Sequence, residues 1–200
     1  MAIVINANDG TISGISVGGL PDGTVDAGTL ATDSVDSAEL IDGSIDTAHI
    51  AADQITGAIL PAGSVLQVVN AVTIVRDTTN STSFTATTIT ADITPSSTSS
   101  KIFVIISASG NTNNTSGHIL GYTIYRDSTD LGNSTYGMGQ LRGVNSAVRG
   151  GISPSFLDSP NTTSSVTYTL YFLSTNASST VEIPGSAGEN RSITLMEIAG

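Results

Sequence analysis

The sequence has no cysteine and no tryptophan, and only 4% of its 200 residues are aromatic. Without cysteine there can be no disulfide framework and no metal site built on thiolates. Charged residues are also scarce, at 12%, whereas 38% of residues are hydrophobic and serine, threonine, asparagine and glycine are abundant. This mixture predicts an all-β protein with a neutral, hydroxyl-rich surface.

Basic side chains are missing from the first third of the chain. Residues 1–65 contain nine acids and no base, whereas residues 66–200 contain eight acids and six bases, and the net charge is −11. Binding to a nucleic-acid backbone needs lysine and arginine, so we expect no nucleic-acid partner. The N-terminus lacks a basic region, and no apolar run approaches the length of about 20 residues that spans a membrane. We therefore expect a soluble chain with no signal peptide and no membrane insertion.

A repeat of ten residues dominates residues 23–60. The units GTVDAGTLAT, DSVDSAELID and GSIDTAHIAA follow one another, and the truncated unit DQITGAIL ends the array. Each full unit has an aliphatic residue at its third and eighth positions, and this spacing of five extends over eleven consecutive aliphatic positions, here called the stalk positions. They are Ile15, Leu20, Val25, Leu30, Val35, Leu40, Ile45, Ile50, Ile55, Leu60 and Val65. This regularity is the strongest pattern in the sequence and indicates a repeat architecture.

Neither an α-helix nor a β-strand can bury residues at this spacing on one face. Five residues turn an α-helix by about 500°, so the stalk positions would spread around it. Five residues along a strand reverse the face each time, because side chains alternate with a period of two. The backbone must therefore turn within each unit, and Gly23, Asp33, Gly43 and Asp53 occupy equivalent positions that suit a turn.

Two architectures place every fifth residue inside: a square solenoid made by one chain, and a stalk in which several chains share one axis. The residues two positions before the stalk positions are mostly small, as in pentapeptide-repeat solenoids. However, the free energy gained by burying eleven aliphatic side chains is small compared with the conformational free energy lost by ordering about fifty residues. We therefore favour a stalk in which the stalk positions converge on an axis shared by several chains. A flexible linker is the alternative, although a linker needs no regular aliphatic spacing.

From Val65 onward the sequence is typical of β-strands separated by turns. About eight strands in about 135 residues predict a β-sandwich or jelly roll. In the segment SVTYTLYFL, alternation predicts that Val166, Tyr168, Leu170 and Phe172 point to one side. The strand-like segments are residues 65–75, 83–93, 101–110, 119–127, 165–174 and 191–200.

Two segments of this half depart from simple alternation. The piece KIFVII, residues 101–106, is apolar at successive positions, which predicts a strand covered on both faces. Residues 137–154 are rich in glycine and contain Arg142 and Arg149. We interpret this segment as a long surface loop with solvated arginines.

The sequence offers few residues for catalysis. Its only histidines are His118 and His49, and His49 occupies the repeat position that holds Glu39 one unit earlier. No HExxH, phosphate-loop or nucleophile-elbow motif occurs, and a Ser-His-Asp triad would rest on the abundance of serine alone. Residues 127–130, Asp-Ser-Thr-Asp, resemble part of a cation loop but fit a hairpin turn better. We expect no enzyme activity, no catalytic residue, no cofactor and no metal site.

The repeat and both ends of the chain resemble proteins of tailed bacteriophages. The stretch DGSIDTAHIAADQI is similar to the ten-residue repeats of many tail-fibre and appendage proteins. The opening NDGTISGISVGGLPDGTV resembles the start of such proteins, particularly from phages of marine bacteria and cyanobacteria. The pieces TPSSTSSKIFV and YTIYRDSTDLG and the end LMEIAG are similar to a domain common in the same proteins. These motifs span nearly the whole chain and are structural rather than catalytic.

The resemblance implies a virion structural protein on the surface of a phage particle, usually a homotrimer. Residues 1–20 would be an N-terminal anchor that binds capsid or tail proteins, and residues 21–64 an extended, intertwined trimeric stalk with the stalk positions at its axis. Residues 65–200 would be a β-sandwich, jelly-roll-like knob that can bury one face against sister subunits.

Several alternatives stay open. The chain is shorter than a long receptor fibre, so a head fibre, a tail appendage and a capsid decoration or cement protein are all compatible with it. The knob could also be a tip that binds a host receptor or surface glycan. A third hypothesis is an acidic mimic of DNA, which the lack of aspartate or asparagine immediately before the stalk positions disfavours.

Overall fold

The computed structural model describes residues 8, 45, 50, 55, 59–112, 117–144, 146–184 and 188–200, and the backbone of residues 4–6 and 11–13. The chain divides into two compact units, Met1–Gln54 and Ile55–Gly200. In the first unit, β1 (Val4–Asn6) pairs antiparallel with β2 (Thr11–Ser13). His49 and the six stalk positions from Ile15 to Leu40 lie outside the described residues. The trimer axis and the boundaries after residues 20 and 64 stay predictions.

The second unit is a sandwich of two antiparallel sheets. The larger sheet contains β3 (Val65–Thr73), β4 (Asp77–Thr79), β6 (Lys101–Thr112), β10 (Val148–Ile152), β11 (Ser155–Asp158), β13 (Val181–Ile183) and β14 (Arg191–Ile198). The smaller sheet contains β5 (Thr85–Ile93), β7 (Ile119–Arg126), β8 (Thr129–Asp130), β9 (Gly139–Arg142) and β12 (Val166–Ser174). The described residues form no helix, so the predicted all-β class is confirmed. Accordingly, that part of the chain has no apolar helix of membrane-spanning length.

Short strands follow one another end to end, so that each sheet has four rows. β10 and β11 pair with successive parts of β6 in one unbroken register, and β13 and β14 line the opposite side of β6. The rows of the larger sheet are β3–β4, β14–β13, β6 and β11–β10, and those of the smaller sheet are β5, β12, β7 and β8–β9. Numbered along the chain, the rows run 1-8-3-6 and 2-7-4-5, which is the order of a jelly roll.

The hydrophobic core lies between the two sheets, to which each strand contributes every second residue. On β12, Val166, Tyr168, Leu170 and Phe172 are at most 5% exposed, so their predicted common direction is confirmed. The buried aliphatic residues that face them from the larger sheet include Ile102, Val104, Ile106, Ile193 and Leu195. This two-sheet packing is the main source of stability that the described chain contains.

Residues 137–154 do not form the long surface loop that their glycine content predicts. They contain β9 and β10, which pair with β7 and β6 at the edges of the two sheets. A Cβ on Gly139 would collide with the ring of Tyr122, and one on Gly150 would lie 3.0 Å from Leu141. The loop prediction is wrong because these glycines make room for neighbouring side chains within strands instead of marking turns.

Truncating the core should cost far more stability than truncating the surface. Leu170 is fully buried, so Leu170→Ala should lower the free energy of unfolding by about 2–5 kcal/mol through lost burial and the cavity left behind. Val144 is 67% exposed, so Val144→Ala should change it by less than about 0.5 kcal/mol. Urea unfolding at fixed protein concentration measures both, and equal effects would contradict the two-sheet core.

Candidate functional site

A buried arginine joins the two sheets at one end of the sandwich. Arg191 is 1% exposed, and its Nη1 lies 3.1 Å from Asp77 Oδ2 and donates to the carbonyl of Ile183. Its Nη2 donates to Thr88 Oγ1 of the smaller sheet at 3.1 Å. Burial lowers the pKa of the Arg191 guanidinium, and the Asp77 carboxylate opposes that shift. Because these groups bind one another between the two sheets, the cluster holds the sheets together and leaves few polar atoms for a ligand.

A second polar cluster bridges the sheets around Asp158. Its Oδ2 accepts hydrogen bonds from Arg126 Nη1 at 2.6 Å and from the Tyr168 hydroxyl at 2.7 Å. Burial and the hydrogen bond to Asp158 raise the pKa of Tyr168, so its phenol stays protonated and acts as a donor. For Arg126, burial lowers the pKa, but the contact with Asp158 outweighs it and the net shift is upward. The cluster therefore joins β11 of the larger sheet to β7 and β12 of the smaller sheet through paired charged and polar groups.

A third cluster fixes the loop between β5 and β6. The Glu197 carboxylate, 1% exposed, accepts hydrogen bonds from Ser96 N and Ser96 Oγ, both at 2.7 Å, and from Gln67 Nε2 at 2.6 Å. Burial by itself raises the pKa of Glu197, but the hydrogen bonds from Ser96 and Gln67 lower it by more, and the net pKa lies below the ordinary value. The ionised carboxylate therefore ties β3, β14 and the loop together.

Both polar motifs noted in the sequence make structural contacts. His118 Nε2 lies 2.7 Å from Ser174 Oγ, but Ser174 is fully buried and its hydroxyl contacts the carbonyls of Asn176 and Ser179 at 2.7 and 2.8 Å. Residues 127–130 form the β7–β8 hairpin, as the sequence predicts. In the part of the chain that the structure describes, no three His, Asp or Glu side chains come together as metal ligands.

The outer face of the larger sheet is apolar near the start of β3. Val68 of β3 pairs with Met196 of β14, Met196 pairs with Phe103 of β6, and Phe103 pairs with Leu157 of β11. These four residues, here called the apolar belt, thus run straight across all four rows of the sheet. Val68 is 56% and Leu157 49% exposed, and Phe103 and Met196 are half-buried.

Neighbouring positions extend the apolar belt toward the start of β3. Val65, 51% exposed, pairs with Ile198, and Ile198 pairs with Lys101, the only lysine in the sequence. On the other side of the belt, Thr194 pairs with Ile105 and with Asn70, whose amide donates to the Thr194 hydroxyl at 2.8 Å. Beyond the belt the surface therefore becomes mixed, since the 61% exposed Val72 follows Asn70 on the outer face of β3.

The described stalk positions are exposed as well. Ile45 is 50% and Ile50 37% exposed in the first unit, and Ile55 is 52% exposed in the second. Leu60 is half-buried, and Val65 belongs both to the stalk positions and to β3. Among these five, none is buried within its own chain, whereas an enclosed single-chain solenoid would bury them.

The sequence alone revealed only part of this surface. It singled out residues 101–106 as a strand covered on both faces, but it did not indicate that Val68, Leu157 and Met196 lie in one line with Phe103 across the sheet. Those residues are 35 to 93 positions distant from Phe103 along the chain, and only the strand register brings them together.

Comparison with known proteins adds little to the geometry. No family model matches the sequence, and no curated protein matches it. Among solved structures, the crystal structure of the infectious bursal disease virus VP2 subviral particle shows a TM-score of 0.30 and 11% sequence identity. That match covers 67% of this chain and 37% of the other, so this chain spans little more than a third of its length. A likeness at this level carries no argument about function.

Replacing Glu197 by glutamine should weaken the fold at neutral pH and flatten its acid response. The folded-state pKa of Glu197 is lowered, so its contribution to stability is present above the ordinary glutamate pKa of about 4.3 and is lost as pH falls through the folded pKa. We expect Glu197→Gln to be less stable than the unchanged protein at pH 7, with the difference closing as pH falls below about 4. Urea unfolding across this pH range measures it, and parallel curves would contradict the assignment.

Proposed function

We propose that this protein is a non-enzymatic structural component of a tailed-phage virion, a short trimeric fibre or appendage. Residues 1–20 would attach it to the particle, residues 21–64 would form the shared stalk, and the jelly roll would be the outward knob. The proposal draws on the resemblance of the repeat and chain ends to phage appendage proteins. A capsid decoration protein would use the same parts.

The exposure of the stalk positions is the observation that carries this proposal. Ile45, Ile50 and Ile55 are aliphatic at a strict spacing of five, yet each is at least 37% exposed in the single chain. Single exposed aliphatic residues are common on monomers, but a regular series of them is not needed by a flexible linker. Neighbouring copies that share one axis would bury these side chains and remove the free-energy cost of exposing them to water.

A second candidate function is recognition of a neutral glycan by the outer face of the smaller sheet. There the ring of Tyr125 stacks on that of Tyr171, with centroids 3.9 Å apart and an interplanar angle of 22°. Threonines lie beside the pair, among them Thr90 and Thr169, whose hydroxyls are 2.8 Å apart. Half-exposed aromatic rings next to hydroxyl groups offer both an apolar platform and hydrogen bonds. Glycan-array binding that Tyr125→Ala abolishes would support this role, and no binding by the unchanged protein would contradict it.

The full chain should be a trimer at micromolar concentration, and charges at stalk positions should break it. We expect the double variant Ile50→Asp and Ile55→Asp to sediment as a monomer, or to have a concentration of half-dissociation at least tenfold above that of the unchanged protein. The reason is that the new carboxylates would be buried at the axis. Sedimentation equilibrium of the full chain measures both states.

The repeat supplies a matched control for this test. Aspartate naturally follows three stalk positions, as Asp26, Asp36 and Asp46. Thr56 is the equivalent position one unit later, and His49 occupies the repeat position that holds Glu39 one unit earlier. The double variant His49→Glu and Thr56→Asp therefore adds two negative charges where the repeat already carries acids, and it should stay trimeric. A monomeric unchanged protein, or equal dissociation of both double variants, would contradict the shared stalk.

A further inference from the structure

We propose that the apolar belt is a contact surface between knobs and that its partner is a second copy of this chain. Three observations on the larger sheet support this surface: a mismatch between sequence pattern and burial, the direction of the belt across the strands, and the distribution of charge. The choice of a second copy as occupant rests on the proposed function, because the same assembly would bury the stalk positions.

The sequence of β6 is that of a strand covered on both faces, but the strands of the described sandwich cover only one of them. Ile102, Val104 and Ile106 face the core and are fully buried. Phe103 and Ile105 alternate with them on the outer face and remain half-buried, with the exposed Leu157 and Val68 in the same belt. A sheet face that meets water normally carries polar residues at such positions. The apolar outer positions therefore match a strand whose second covering layer comes from outside the chain.

The direction of the belt suits a closed ring of copies. Its four residues are direct cross-strand partners, so the belt runs perpendicular to the strands. If the strands of each knob lie roughly along a rotation axis, the belts of all copies meet at the same height and form one apolar ring. A closed ring of this kind pairs every belt with a neighbouring copy and leaves none unpaired, as expected for cyclic symmetry.

Charge is placed away from the belt. Arg149 and Glu182 flank Asn111 on either side, near the far end of β6. At the near end, Lys101 is the only charged residue among the outward positions that pair with the belt or lie next to it. Contact surfaces are depleted in charge at their centre and carry it at the rim, which is the pattern on this sheet.

The area of the sheet face indicates that the knob alone does not supply a full interface and that residues before β3 contribute to it. Four rows about 4.8 Å apart and eight residues at about 3.3 Å each give a flat face of about 500 Å². A standard specific interface buries about 800 Å² on each partner, so the sheet face supplies a large part but not all of it. Exposed aliphatic residues just before β3 in the same unit, Ile55 and Ile59, at 52% and 63%, can supply more in the same assembly.

A charge placed in the apolar belt should weaken assembly of the full chain. Val68→Asp should raise the concentration of half-dissociation at least tenfold, measured by sedimentation equilibrium. Val144→Asp is the matched control: Val144 is 67% exposed and lies outside both sheets, so the same substitution there should change that concentration less than twofold. Equal behaviour of the two variants, with the unchanged protein trimeric, would overturn the belt contact and leave the stalk proposal standing. A monomeric unchanged protein would overturn both.

Cysteine probes test the same contact without adding charge. Because the chain has no cysteine, Leu157→Cys and Val144→Cys each create a single thiol. In assembled protein, the thiol at position 157 should react with a maleimide at least tenfold more slowly than the one at position 144. In protein dissociated by dilution, the two rates should be similar, since both positions are exposed in the single chain. Equal rates in the assembled protein would overturn the proposal even if Val68→Asp fails to fold.

Discussion

The register of β14 between β3 and β6 is the constraint on which the other features of the sandwich depend. In this register Ile193 and Leu195 point into the core, while Met196 and Ile198 point outward. A slip by one residue would reverse every side chain of the strand. The core would then receive Met196 and lose Leu195, and Glu197 would leave its hydrogen-bond partners. Core packing, the Glu197 cluster and the apolar belt therefore follow from one pairing.

Two of the buried polar clusters lie on β14 itself, at Arg191 and Glu197, and reinforce that register, whereas the third, at Asp158, joins β11 to the smaller sheet. Arg191, Asp158 and Glu197 each receive or give hydrogen bonds to more than one element, and the first two connect the larger sheet to the smaller. Apolar packing tolerates small shifts, but a buried charge without its partner is costly. This chain has few aromatic residues and no disulfide. Paired buried charges therefore fix the alignment of the strands, which cores with larger side chains fix through shape-complementary packing.

Two surfaces of different character follow from this arrangement. The smaller sheet presents threonines and stacked tyrosines, which water solvates well, whereas the larger sheet presents aliphatic side chains at the end where β3 begins. Exposed apolar patches of this extent on monomeric proteins commonly mark interaction sites. A trimer with its larger sheets inward and its smaller sheets outward would reconcile a hydroxyl-rich, weakly charged chain with a strongly apolar sheet face.

The sequence by itself determined the all-β class, the alternation on β12, the hairpin at residues 127–130 and the regular stalk positions, because each depends on spacing along the chain. Tertiary structure alone decided that residues 137–154 form edge strands, since their glycines serve neighbours contributed by other strands. It also decided which buried charges meet and that Val68, Met196, Phe103 and Leu157 form one belt. Those groupings depend on pairing between distant strands, and periodicity within a strand carries no information about which strand will lie beside it.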